Sequence, residues 1–99
     1  MGLDKVAARR LADEHFARWR AGTTYAELAH RDEHSSSDDS EVTDGGVAYR
    51  ISRTVWRETG DLAYTMTVTV REARKRGLFR SSVVRSGRMH PDGSVTDVV

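Results

Sequence analysis

Between Val47 and Val70 the chain alternates apolar with polar residues, and this period of two is what most narrowly limits the folds open to it. Val47, Tyr49, Ile51 and Val55 fall on one side of an extended segment, and Tyr64, Met66, Val68 and Val70 on one side of the next. Successive side chains of a strand point to opposite faces, so each row reads as the buried face of a half-exposed strand. Glu58-Thr59-Gly60-Asp61 between them is a turn sequence that joins the two antiparallel. The opposite side of the second strand, Thr65, Thr67, Thr69 and Arg71, is a β-favouring polar row, suited to solvent or to a lightly polar interface. Trp56 falls on the side of its strand opposite Tyr49, Ile51 and Val55, among Ala48, Arg50, Ser52 and Thr54. An outward Trp of this kind is typical of an interface anchor or a stacking surface, unless a bulge reverses the register.

Further strands follow from turn chemistry. Arg74-Lys75-Arg76-Gly77 is expected to turn the chain into a third strand from about Leu78 to Arg88, and His90-Pro91-Asp92-Gly93 into a last short one, Val95 to Val98. The adjacent Val83 and Val84 break the alternation and leave the register there open to a bulge. Upstream, Ala8, Leu11, Ala12, His15, Phe16 and Trp19 share one face at helical spacing, which predicts a first helix capped by Asp4, running through Arg20 and stopped by Gly22. Thr24 with Glu27 is a capping-box pattern that opens a shorter second helix toward His34. The stretch between, SSSDDSEVTDGG over residues 35–46, has a single apolar residue and is expected to be a polar, partly mobile loop. The fold class expected is α+β: one or two N-terminal helices packed on a four-stranded antiparallel β-meander, as a single domain over residues 1–99.

Composition removes several function classes. The chain has no cysteine, which excludes disulfides, thiolate metal sites and cysteine nucleophiles. The start is polar, without the apolar run of a signal peptide, and no stretch approaches the roughly 20 apolar residues of a membrane span, so a cytoplasmic protein without membrane partners is expected. Leu, Ile, Val and Phe supply only 19 of the 99 residues, and so thin a core favours burial against a second copy. A net charge of +1 hides an asymmetry: residues 1–45 carry 6 basic and 10 acidic side chains, residues 46–99 carry 10 and 5. Opposite-signed regions attract each other within a fold or between subunits, and a basic region also suits nucleic acid.

Two short resemblances stand in the helical part. His30-Arg31-Asp32-Glu33-His34 resembles the H-x-x-E-H pattern of inverzincin metalloproteases, in which two His on adjacent helical turns bind zinc and the Glu is the general base. No downstream His or Glu is placed to complete a ligand set, so an exposed, charged helix end is expected and no metal is assigned. Arg20 to Ser35, RAGTTYAELAHRDEHS, resembles the first helix and turn of a helix-turn-helix DNA-binding unit. Asp32 and His34 occupy the places where an apolar pair anchors that turn, and SSSDDSEV, where the recognition helix would lie, is acidic and repels phosphate.

Three functional readings remain, and no cofactor, metal or catalytic residue is assigned in any of them. The first is a non-enzymatic interaction domain, a homodimer associating through its sheet face, with Trp56, Thr65, Thr67 and Thr69 at the interface and the Arg-rich hairpin at its rim. The alternative is a sequence-nonspecific nucleic-acid-binding module using Arg71, Arg74, Lys75, Arg76, Phe79 and Arg80, because guanidinium groups grip phosphates and an exposed aromatic stacks on bases. The third is a small-ligand pocket between helix and sheet beside His15, whose place on the apolar helix face lets it titrate or touch a ligand.

Overall fold

A computed structural model describes residues 5–73 and 82–98. Helix α1 spans Lys5–Gly22 and buries Ala8, Leu11, Ala12, Phe16 and Trp19, the face its spacing predicts. Asp4, its expected cap, lies outside the described residues. Helix α2 spans Tyr25–His34, with Thr24 Oγ1 accepting from the Glu27 backbone N–H at 3.1 Å. Glu27 does not complete the reciprocal half of the capping box; its carboxylate accepts instead from the Thr23 hydroxyl at 3.2 Å. No helix among the described residues is long and apolar enough to cross a membrane.

Five strands follow, β1 (Ser37–Asp44), β2 (Val47–Trp56), β3 (Tyr64–Glu72), β4 (Val83–Met89) and β5 (Val95–Asp97), paired antiparallel in sequence order. The fold is therefore α+β, two helices on an antiparallel meander, with one strand more than the four expected. The additional strand corrects the loop expected over residues 35–46. Alternation misses it because its inward row is Asp38, Ser40, Val42 and Asp44, paired with Arg53, Ile51, Tyr49 and Val47, and only Val42 packs on the core. Charge replaces apolar burial in that row: Asp44 accepts from Arg10 of α1 at 2.6 Å, and Asp38 is held by Arg31 of α2 and Arg53 of β2. Gly45 (φ 57) and Gly46 (φ 80) supply the two positive φ angles that a two-residue hairpin needs to match strand twist.

Two further turns form where the sequence places them. Asp61 N–H donates to the Glu58 carbonyl at 3.0 Å, and Gly93 N–H to the His90 carbonyl at 2.9 Å. Register from Val83↔Val70 to Tyr64↔Met89 is unbroken, so the adjacent valines mark no bulge: Val83 packs on the core and Val84 points out. The turn at 74–77 and the beginning of the third expected strand, residues 78–81, lie outside the described residues. Helix α1 lies over β3 and β4, and α2 over β2 and β3, all on one face of the sheet. Between these layers sit Phe16, Leu28, Ile51, Val55, Met66, Val68, Val70 and Met89, each essentially without solvent contact.

Candidate functional site

With both helices on one face, the opposite face of the sheet carries no second layer among the described residues. The Tyr49↔Glu72 to Trp56↔Thr65 register has no bulge, so Trp56 does point outward, 41% exposed. Cross-strand pairing sets out rows on this face: Trp56, Thr65 and Arg88; Thr54, Thr67 and Ser86; Ser52, Thr69 and Val84; Arg50 and Arg71. The structure thus brings Trp56, Thr65, Thr67 and Thr69 together on one surface. Thr67, at its centre, is only 9% exposed, and its hydroxyl lies 3.0 Å from that of Ser86. Val84 is exposed on the same surface, and Val98, whose N–H donates to the Ser86 carbonyl at 3.2 Å, continues the outward alternation of β5. Arg88 is tied to Asp61 beside Trp56. At the other end Arg50 and Arg71 stand directly opposite each other, and Arg71 Nε is buried with no hydrogen-bond partner among the described residues.

A second constellation lies on the helix side, and the sequence contains one signal for it. Arg53 is the single charged residue in the inward row of β2, between Ile51 and Val55. Its guanidinium sits 5.3 Å from the centroid of the Trp19 ring, and that of Arg31 sits 5.7 Å from the same ring. Asp38 joins them: its Oδ1 accepts from Arg53 Nε at 3.0 Å, and its Oδ2 from Arg53 NH2 at 2.7 Å and from Arg31. Burial pushes the Asp38 carboxyl upward, but hydrogen bonds and charge from Arg53 and Arg31 more than offset this and hold it below the usual carboxylate range. Arginine at these places suits the work, because its planar fork bonds a carboxylate bidentately while its face stacks on indole. Two adjoining cavities of about 310 and 270 Å³ share Arg18, Trp19 and Arg53 as walls.

His15 lines the smaller of these cavities with Asp38 and Ser40, at the half-buried margin of α1 rather than in the core. Burial depresses its pKa first, the charge of Arg18 next, with a smaller contribution from Arg53 and an opposing one from Glu14. Of the residues proposed for nucleic-acid binding, Arg71 lies at the end of the open face, while Arg74, Lys75, Arg76, Phe79 and Arg80 lie outside the described residues. His30 and His34 stack at 4.4 Å between ring centroids on the exposed end of α2, and no group of three potential ligands among the described residues is placed to hold a metal. The segment that a helix-turn-helix would use for recognition is strand β1.

The described residues form a two-layer α+β architecture in which one sheet face carries no covering element. No protein-family model, curated protein or solved structure matches this chain.

Proposed function

We propose that this chain is an interaction domain that pairs with a second copy of itself, sheet face against sheet face. One observation carries the reading: Trp56, Val84 and Val98, three large apolar side chains more than 40% exposed, stand on the face of the sheet that no helix among the described residues covers. Strands about 4.8 Å apart, with roughly 3.3 Å per residue along the central ones, give a face of about 20 by 30 Å. Two such faces bury about 1,200 Å² in total, the lower bound of a specific interface. Hydroxyl-rich centres suit this geometry, since short Ser and Thr side chains let two sheets approach to the usual ~10 Å.

Sedimentation velocity over a concentration series tests the reading. A dimer of the wild-type chain that becomes a folded monomer in Trp56→Glu supports it; a wild-type monomer at about 100 µM, far above the working range of stable interfaces, overturns it.

A second reading rests on the paired Arg50 and Arg71. Like charges directly opposed across strands are destabilising, and an anionic backbone lying over them, with a base on Trp56, relieves the repulsion. Fluorescence anisotropy with labelled single strands separates the two readings, because affinity from phosphate contacts falls linearly in log salt.

A further inference from the structure

We infer that the groove along Trp19 is a binding site for a small oxyanion, a phosphate or carboxylate group, held by Arg18 and Arg53. The groove lies on the helix side of the sheet and is independent of the pairing proposed above. Its charge is unbalanced in a particular way. Both oxygens of Asp38 are engaged by Arg31 and Arg53, so one carboxylate serves two guanidinium groups. Arg31 Nε remains buried without a partner among the described residues. Arg18, the third arginine on these walls, has a side chain 73% exposed and, among the described residues, its ion pair is with Glu14, at 4.0 Å. Glu27, the carboxylate on the other cavity, is turned to the Thr23 hydroxyl.

Around the 270 Å³ cavity the walls therefore present Arg18, Arg53, His15 and the Ser40 hydroxyl toward open volume, with the Asp38 charge already neutralised. The Ser40 hydroxyl and one ring N–H of neutral His15 are donors, Arg18 can grip an oxyanion with two parallel bonds, and Arg53, whose Nε–H and one NH2 hydrogen are given to Asp38, offers its remaining N–H groups. The cavity is at the small end of ligand pockets, which restricts the guest to a compact anion. Stacking on Trp19 fixes the plane of Arg53 before any guest arrives, so little side-chain freedom is lost on binding.

Two-dimensional 1H–15N NMR of the full chain tests this, following the Trp19 indole N–H and the Arg53 Nε–H during titrations with inorganic phosphate and with malonate, against sodium chloride at matched ionic strength. Saturable shifts of both signals with phosphate, malonate or both are expected, with Kd in the low millimolar range, and the anion that saturates identifies the ligand class. Arg18→Gln, which touches no buried partner, is expected to weaken that binding roughly tenfold through loss of one charge-assisted hydrogen bond. Arg53→Gln is expected to abolish it. Shifts that match those of chloride, or that saturate at unchanged concentration in Arg18→Gln, overturn the assignment.

Discussion

Replacing Gly87 by alanine probes how closely α1 is seated on the sheet. A Cβ built on Gly87 lies 2.5 Å from Phe16 Cζ, 3.3 Å from Phe16 Cε1 and 3.2 Å from Val95 Cγ1. Carbon atoms prefer a separation of about 3.5 Å or more, so the Phe16 ring has to retreat by roughly 1 Å. It has nowhere to go: Phe16 is 1% exposed, and the Arg85 guanidinium sits over its ring at 4.7 Å, itself tied to Asp13 and Asp97. Overpacking of this kind costs about 1–3 kcal/mol. For a chain of this length each kcal/mol lowers Tm by about 4–8 °C, so Gly87→Ala melts about 4–24 °C below wild type. The assay is thermal unfolding by circular dichroism at one fixed protein concentration, because self-association makes Tm concentration-dependent. Phe16→Leu removes the offending ring atoms and costs stability alone, but Gly87→Ala in that background is expected to cost at least about 1 kcal/mol less than in wild type. A Gly87→Ala melting curve within a degree of wild type, or strictly additive losses in the double variant, refutes the packing argument.

Other expectations follow from the same contacts. Asp38→Asn keeps the shape but removes the charge shared by Arg31 and Arg53; with the carboxylate about a third exposed, screening limits the loss to about 1–2 kcal/mol, read from urea unfolding. His15, depressed mainly by burial, resists a proton that the unfolded chain accepts near its ordinary pKa of about 6.5. The stability it supports is therefore complete above that pH and is lost as pH falls through the lower folded value, and His15→Gln should remove that acidic inflection from a series of melting curves. Asp38 adds a second loss at more acidic pH, since its folded pKa is also lowered, and Asp38→Asn should erase only that step. Tm of the wild-type chain is expected to rise with protein concentration, and Trp56→Glu to abolish the dependence while leaving the circular-dichroism spectrum unchanged.

Much of the fold is legible in the chain because apolar burial writes a period into the residues that make it. The helical face from Ala8 to Trp19 and the alternating rows of β2 and β3 are each buried as a unit against the other layer, so spacing alone gives element, boundary and orientation. The outward position of Trp56 follows from the same counting. Strand β1 escaped it because Asp38 and Asp44 occupy inward places, and acidic residues carry no periodic signal of burial until the arginines that neutralise them are known. Asp44-Gly45-Gly46-Val47 was the available clue, a hairpin turn that implies a strand on each side.

The groove on Trp19 shows the division most clearly. Helical spacing puts Trp19 on the buried face of α1, whereas the alternation of β2 gives no account of Arg53, which stands in its otherwise uncharged inward row. That Arg31, Asp38 and Arg53 converge on one indole was decided by tertiary structure alone, because they come from a helix and two strands whose sequence separations hold no period. Local spacing determines which way a side chain points along its own element; which charges meet depends on how the elements are laid over one another, and only the folded chain sets that.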